Sequence, residues 1–305
     1  MSLSDLVDDF MSEPRQHAVS SKTRHQRNSA LDILSRALGA ETATNAVSRR
    51  DARALRDALL ARPRARPATV NAKLSLYAAL FRHAVREHGL AANMFEGLSV
   101  PDPVRPEDKR RSFTKAELEK VVAHPPEGSL RWVLLLGLMN GLRRAEATGL
   151  RPQDVRREGG VVVIDVVSHE GRGLKTAASA RTVPAHPLIA DALLDFMRGE
   201  PWTDLPDGTR TKVAGQRLVR YLRAVVSKDP KLVGHSARHT FRDRMREGGV
   251  GRDAALQLGG WTSGAVADSY GSGMSPKALL GELRKVKYEV DLSRLVPSPV
   301  KRRRA

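Results

Sequence analysis

The sequence predicts an α+β fold, mainly α with a small antiparallel β-sheet, divided into two domains. Apolar residues recur at helical spacing through most of the chain, and one β-branched run, 161–167, interrupts that period. Three prolines fall within 101–106. Because proline lacks a backbone N–H and disfavours helix, this stretch is the best candidate for a linker.

Residues 1–100 form the predicted N-terminal domain. Its apolar stripes lie within 30–38, 52–60 and 70–81, and a loop with three arginines, 62–67, separates the last two. Each stripe indicates a helix that buries one face against its neighbours. We therefore expect a compact helical bundle with basic edges.

A linker over 101–111 is predicted to lead into a C-terminal domain, 112–286. Ser112 is expected to open the first helix of this domain. An apolar helix over 130–139 is expected to end at Asn140-Gly141, because glycine commonly follows the last helical residue.

A small antiparallel sheet is predicted in the middle of this domain. The run at 161–167 and a segment that ends at Pro184 are the expected strands, with 174–179 near the hairpin tip. Helices are expected to resume over 187–286. A tail, 287–305, follows, with a short alternating segment and a basic end.

The composition predicts a polyanionic partner. The 305 residues include 52 Lys and Arg against 34 Asp and Glu, a net charge of +18. Residues 1–104 carry +4 of this charge, which leaves +14 for the rest of the chain. Nucleic acid is the partner that such a charge indicates first. Cysteine is absent, which excludes thiol nucleophiles and thiolate metal ligands.

The expected location is cytoplasmic, with the protein associated with the nucleoid. No apolar run approaches the roughly 18 residues of a membrane span. The first residues are polar and acidic, and they lack the apolar core of a secretory signal.

Arg143 and Glu146 follow the predicted helix break and lie three residues apart, on one helix face. A guanidinium held by a local carboxylate is oriented to offer two donors to a phosphate. Lys175, on the predicted hairpin, could donate a proton to a leaving oxygen. Taken alone, the first pair is more typical of a surface ion pair, and the lysine of a solvated loop.

His235 and Arg238 would bracket a helix start capped by Ser236, where free N–H groups favour an anion. His235 and His239 also have the i, i+4 spacing of a helical zinc pair. The neighbouring Arg238 and the lack of an evident third ligand argue against zinc, and neither a metal nor a cofactor is predicted. His239 is better interpreted as a buried histidine that orients its neighbours.

Tyr270, one of four tyrosines, lies nine residues after Trp261. Gly271-Ser272-Gly273 follows it and forms a candidate flexible joint. A phenol has a pKa near 10, so attack by Tyr270 requires a base or cationic surroundings.

In order and spacing these elements resemble the tyrosine recombinase, or phage integrase, family. The segments that carry the resemblance are Gly141-Leu142-Arg143-x-x-Glu146, Lys175-Thr176-x-x-Ser179-x-Arg181-x-Val183-Pro184, His235-x-x-Arg238-His239-Thr240-Phe241, Leu258-Gly259-Gly260-Trp261 and Tyr270. The resemblance implies that residues 1–100 are a DNA-clamping core-binding domain and that 112–286 are the catalytic domain.

The resemblance implies a site-specific recombinase that cleaves and rejoins DNA through a 3′-phosphotyrosyl link to Tyr270, without metal or ATP. Arg143 and Arg238 would hold the non-bridging phosphate oxygens. Lys175 would protonate the 5′-oxygen, and His235 would assist deprotonation of the phenol.

The remaining implied roles are supporting ones. Trp261 would donate a hydrogen bond or buttress the pocket, while Glu146 and His239 would support the residues that touch DNA. The implied partners are double-stranded recombination sites, a homotetramer that exchanges strands through a Holliday junction, and an accessory DNA-bending or directionality protein. The tail, 287–305, is expected to contact a neighbouring protomer.

This sequence departs from the family pattern in three respects. Trp261 stands where many members have His, and Ala237 stands where Leu is commoner, which is expected to loosen the local packing. About 100 residues precede the linker, so we expect a two-domain recombinase without an arm-binding domain. The alternatives are a type IB topoisomerase-like or telomere-resolving strand transferase and a catalytically silent DNA-binding member. The intact catalytic set argues against the last.

Overall fold

The computed structural model describes residues 1–104, 110–170, 179–262 and 273–297. Over these residues the chain is mainly helical with a three-stranded antiparallel sheet, which confirms the predicted fold class. It divides into two compact units, Met1–Arg105 and Pro106–Ala305. No helix within the described ranges is long and apolar enough to cross a membrane.

The described part of the first unit is helical. Its helices are α1 Leu3–Ser12, α2 Pro14–His17, α3 Ser21–Leu38, α4 Arg49–Leu60 and α5 Pro67–His88. Their ends follow local sequence rules. Ser48 caps α4 by accepting from the N–H of Asp51, whose carboxylate accepts from the N–H of Ser48 in return. α5 begins at proline and ends at Gly89, which has a left-handed φ of 64°.

The core of the first unit is mainly aliphatic, with four aromatic side chains, and is centred on α5. Tyr77 and Phe81 are fully buried, and the ring of Phe95 lies 5.4 and 5.0 Å from theirs. The Tyr77 hydroxyl donates to the carbonyl of Ala30 in α3 at 2.8 Å. Helix α1 packs onto this core through Leu3, Leu6 and Phe10. Burial of such side chains, rather than helix propensity, stabilises these helices.

The second unit combines helices with the sheet. Its elements are α6 Lys115–Ala123, α7 Ser129–Asn140, α8 Arg144–Thr148, β1 Val155–Glu158, β2 Val161–Val166, β3 Arg181–Pro184, α9 Ala190–Arg198, α10 Arg210–Tyr221, α11 Ser236–Glu247, α12 Arg252–Gly259 and α13 Pro276–Leu283. Strand β2 is central: Ile164 pairs with Val155 of β1 and with Val183 of β3. The predicted hairpin therefore has a further strand, β1.

Helix α7 is apolar on all sides and buried over 132–140. A Cβ added at its Gly137 would lie 2.9 Å from the Cβ of Ala237, so α7 and α11 cross closely. Ala237 is buried and lies at this crossing. As predicted, α7 ends at Gly141, whose φ is 61°.

Two predicted helix starts are wrong. Helix α6 begins after Thr114, whose hydroxyl accepts from the N–H of Glu117, and the Ser112 hydroxyl instead donates to Asp243 in α11. Ser236 is the first residue of α11 rather than its cap. Its hydroxyl accepts from the N–H of Val233 at 3.0 Å and closes the preceding turn.

Residues 284–297 pack on the unit to which they belong. The Tyr288 hydroxyl donates to the carbonyl of Leu138 in α7, and burial raises the pKa of this phenol. Leu292 and Leu295, in a short 3₁₀ helix, are buried in the same core. The described part of the tail therefore packs in cis. Its basic end, 298–305, lies outside the described residues.

Candidate active site

Arg143 occupies the N-cap position of α8, directly after the left-handed turn at Gly141. The buried carboxylate of Glu146 holds it in place. Glu146 Oε2 accepts from the backbone N–H of Arg143 at 2.9 Å, and Oε1 accepts from Nη1 at 2.5 Å. The Arg143 side chain is 24% exposed, whereas that of Glu146 is 5% exposed. The guanidinium is thus anchored from below and still accessible.

Arg238 lies in the first turns of α11 and is buried. Its guanidinium donates to the backbone carbonyls of Gly141 and Gly259. Burial, reinforced by the positive charge of Arg143, lowers the pKa of Arg238 to about 9. The side chain is therefore still a cation at neutral pH, and its surroundings favour an added negative charge.

The C-terminal end of α12 gathers guanidinium groups from three elements. Arg181 of β3 donates to the carbonyl of Leu258 at 3.2 Å, and Arg238 donates to that of Gly259. Arg143 donates to the carbonyl of Gly260 at 3.2 Å. Three consecutive carbonyls thus orient three arginines, at a helix end whose partial negative charge favours cations.

Arg181 belongs to this site, although the sequence motifs that contain it did not indicate a role for its side chain. Its Nη2 donates to Glu146 Oε2 at 3.0 Å and its Nη1 to the Ser179 carbonyl at 3.0 Å. Burial opposes ionisation of Glu146, but the charge and hydrogen bond of Arg181, with the bonds from Arg143, outweigh it and lower the pKa of Glu146. The sequence signal that could have indicated this role is a charged residue at a buried position of a strand.

Among the described residues the charges of this cluster do not balance. Arg143, Arg181 and Arg238 bring three positive charges to a largely buried region, and in this part of the chain Glu146 supplies one negative charge. Buried charges are costly unless they are paired. The arrangement can therefore bind an anion such as a phosphate and stabilise the negative charge that grows on it during a reaction.

His235 and His239 lie at the start of α11, with ring centroids 5.0 Å apart in edge-to-face contact. Burial lowers the pKa of His235 to about 4, and the nearby charges of Arg110 and Arg238 contribute in the same direction. Burial also lowers the pKa of His239. Both rings are therefore neutral at pH 7, and His235 can accept a proton.

Trp261 contacts two guanidinium groups of α11. The Cζ atoms of Arg238 and Arg242 are 4.6 and 5.0 Å from its ring centroid. A Cβ added at Gly259 would lie 2.0 Å from the Trp261 ring, and one at Gly260 would lie 2.7 Å from Nη1 of Arg181. The two glycines therefore let a ring and an arginine approach the backbone, and Trp261 packs against Arg238.

Lys175 and Tyr270 lie outside the described residues. Ser179 Oγ is 3.5 Å from Nη1 of Arg143, and Trp261 stacks on Arg238.

Comparison with known proteins decides the family. The model of the phage integrase family matches residues 111–273, a little more than half of the chain and all of the cluster described above. The chain belongs to the phage integrase family. It is accordingly a tyrosine recombinase, as the sequence resemblance implies. No curated protein matches it by sequence.

Solved integrase structures share the fold at low sequence identity. The Tn1549 transposon integrase in complex with transposon right end DNA has a TM-score of 0.65 and 17% identity, over 96% of this chain and 97% of that chain. A lambda integrase dimer bound to a COC′ core site has a TM-score of 0.66 and 17% identity, over 88% and 76%. A lambda integrase tetramer bound to a Holliday junction has a TM-score of 0.63 and 15% identity, over 87% and 79%.

Proposed function

We propose that this integrase is a site-specific DNA recombinase in which Tyr270 attacks the scissile phosphate. The phenolic oxygen forms a bond to phosphorus while the bond to the 5′-oxygen breaks, which leaves a 3′-phosphotyrosyl link and a free 5′-hydroxyl. Attack by that hydroxyl, or by the equivalent one of a partner strand, reverses the step and rejoins DNA. The observation that carries the proposal is the excess of positive charge around Arg143, Arg181 and Arg238.

In this proposal Arg143 and Arg238 bind the two non-bridging oxygens of the scissile phosphate. In the structure their guanidinium groups donate to the uncharged backbone carbonyls of Gly141, Gly259 and Gly260. A phosphate oxygen is a stronger acceptor because it is charged. Negative charge increases on these oxygens in the transition state, so donors held in place stabilise it more than the ground state.

The proton transfers are assigned to two residues. His235, neutral at pH 7, accepts the proton of Tyr270, and Lys175 donates a proton to the leaving 5′-oxygen. A bound phosphate raises the pKa of His235 and so favours the transfer. Glu146 positions Arg143 and shares its carboxylate with Arg181, while Trp261 packs on Arg238 and His239 contacts the ring of His235.

The proposed partner is double-stranded DNA, bound by both units. The first unit has a cleft of about 870 Å³ between α3 and α5, and its lining includes Arg15, Arg27, Lys73, Arg82 and Arg86. Basic side chains of this kind bind phosphates without regard to sequence. We further propose a homotetramer that exchanges strands through a Holliday junction, which the lambda integrase tetramer supports. Residues 298–305 are the segment left to contact a neighbouring protomer, and an accessory DNA-bending protein is compatible with this assembly.

A nicked suicide substrate that carries the recombination site tests this chemistry in buffer without added divalent metal. The short strand released by cleavage diffuses away, so the covalent intermediate accumulates. The wild type is expected to give an SDS-stable protein–DNA adduct, and Tyr270→Phe none. An adduct that persists in Tyr270→Phe, or that requires added Mg²⁺, would contradict the proposal.

A type IB topoisomerase-like enzyme would pass the same adduct test. Two linear duplexes with the site distinguish the alternatives, because a recombinase exchanges their arms whereas a topoisomerase only relaxes supercoils. The resemblance to integrase structures over both units favours the recombinase.

A further inference from the structure

The first unit contains a cluster of metal-binding side chains that the proposed recombination does not use. Asp9 lies on α1, whereas His83 and His88 lie on α5. Asp9 Oδ2 is 2.7 Å from Nε2 of His83 and 2.8 Å from Nε2 of His88. The three ligand atoms all lie within 4.8 Å of one another. Two ring nitrogens from one helix thus converge on one carboxylate oxygen from another.

Packing fixes the ring that lies deepest in this cluster. His83 is 1% exposed, and its ring meets those of Phe10 and His88 edge-on at 5.7 and 5.6 Å. Its Nε2 is the ring nitrogen that faces Asp9, whereas its Nδ1 is buried and has no hydrogen-bond partner in the described part of the chain. Core packing therefore fixes the buried His83 ring with its Nε2 facing Asp9.

The cluster is open on its other side. The side chains of Asp9 and His88 are 44% and 29% exposed, which gives an ion a path from solvent and leaves space for a water ligand. The Asp9 carboxylate thus faces both histidines, in a chain that is otherwise strongly basic.

We propose that Asp9, His83 and His88 form a binding site for a divalent transition-metal ion of the Zn²⁺ class. Two imidazole nitrogens and a carboxylate oxygen are a ligand set that zinc accepts, with water as the fourth ligand. Zinc bonds of about 2.0–2.1 Å place tetrahedral ligand atoms about 3.3 Å apart. The Asp9 oxygen therefore lies about half an ångström closer to each histidine nitrogen than it would in a tetrahedral zinc site, and its side chain is exposed enough to withdraw.

The site would join the N-terminal helix to the central helix of the first unit. Its ligands are 74 and 79 residues apart in sequence, so the ion would close a long loop. Because the ion binds the folded unit and not the unfolded chain, it raises the free energy of unfolding. This gain grows with the logarithm of the concentration of the ion. The proposed role is structural, and it does not depend on the proposed recombination.

Cobalt titration of the full-length protein, first stripped of metal, tests the site directly. Co²⁺ in a tetrahedral site with nitrogen and oxygen ligands gives a visible d–d absorption band that hexaaqua Co²⁺ lacks. Asp9→Asn and His88→Gln change partly exposed side chains and are expected to fold. His25→Gln, at an exposed histidine of the same unit, is the matched control.

We expect the wild type and His25→Gln to bind one Co²⁺ per chain, and Zn²⁺ to displace it. Asp9→Asn and His88→Gln are expected to bind at least tenfold more weakly. Zn²⁺ should raise the Tm of the wild type and leave that of these two variants unchanged. Equal affinity in all four proteins, or no band, would overturn the proposal and leave a carboxylate hydrogen-bonded to two histidines. Loss of binding in His239→Gln instead would place the metal on the His235–His239 pair and also overturn it.

Discussion

The two units of this integrase each contain a cluster of polar side chains that could bind a ligand, and the two clusters differ in the sign of their charge. In the second unit three arginines surround the carboxylate of Glu146. In the first unit a carboxylate, Asp9, faces two histidines. Among the described residues, positive charge is in excess in the arginine cluster, which favours an anion, whereas the Asp9 cluster can accept a cation. The balance of charge in each cluster therefore indicates the sign of the charge on the ligand that it binds.

The two clusters also differ in how their donors are satisfied. The arginine donors bind backbone carbonyls at the ends of α7 and α12, acceptors that a phosphate can outcompete. The histidines share one carboxylate oxygen, which a metal ion can replace at both nitrogens. The arginine cluster is thus rigid before it binds, whereas the histidine cluster has to open slightly.

The largest effect is expected from Arg238→Lys, which keeps the charge of the anion site but loses the planar fork. One ammonium group cannot span the carbonyls of Gly141 and Gly259 and also meet a phosphate oxygen. Single-turnover cleavage is expected to slow about 100-fold or more. Arg246→Lys, on the exposed side of α11, is the control and should be unchanged. Equal rates for both variants would mean that the cluster needs charge alone.

A smaller effect is expected from Gly259→Ala, which disturbs the backbone that orients the arginines. The added methyl group would overlap the Trp261 ring, so the ring or α12 has to move. Overpacking of this kind costs about 1–3 kcal/mol, measured by denaturant unfolding. Gly281→Ala, in α13, meets no atom within 4 Å and is expected to be neutral or slightly stabilising. A Gly259→Ala variant as stable and as active as the wild type would contradict the packing described.

A further effect concerns acid stability, because two histidines of the second unit are held neutral. Burial lowers the pKa of both His235 and His186 to about 4. In the unfolded chain their pKa is about 6.5, so the unfolded state binds more protons between these values. The free energy of unfolding is therefore expected to fall as pH drops from 6.5 to 4, by on the order of 2–3 kcal/mol for each histidine. Denaturant unfolding at several pH values measures this, and His186→Asn should flatten the slope. An unchanged slope in that variant would be evidence against the assignment.

Much of the fold follows from local sequence. The apolar segment of α7, the turn at Gly141 and strand β2 all have patterns that specify them. Strand β1 was missed because three of its four residues are exposed and charged, so only pairing with β2 defines it. The helix starts assigned to Ser112 and Ser236 were wrong: the Ser112 hydroxyl donates to Asp243, and that of Ser236 closes the preceding turn.

The candidate site was predicted in part. Spacing and family resemblance indicated Arg143, Glu146 and Arg238, and the structure places these three together. Arg181 was not assigned because only tertiary packing shows that it shares Glu146. The Asp9 cluster has no sequence signature, because it forms where α1 crosses α5. Residues far apart in the chain become neighbours only when the core that joins their helices has formed.

The measurement that tests the central claim most directly is cleavage of a methylphosphonate substrate by Arg238→Ala. In this substrate a methyl group replaces one non-bridging oxygen of the scissile phosphate, which removes the negative charge that Arg238 is proposed to stabilise. On ordinary DNA the variant is expected to be nearly inactive. On the methylphosphonate it is expected to regain cleavage, with adduct formation that still requires Tyr270. Equally slow cleavage of both substrates would show that Arg238 does not act on phosphate charge, and would contradict this account of the arginine cluster.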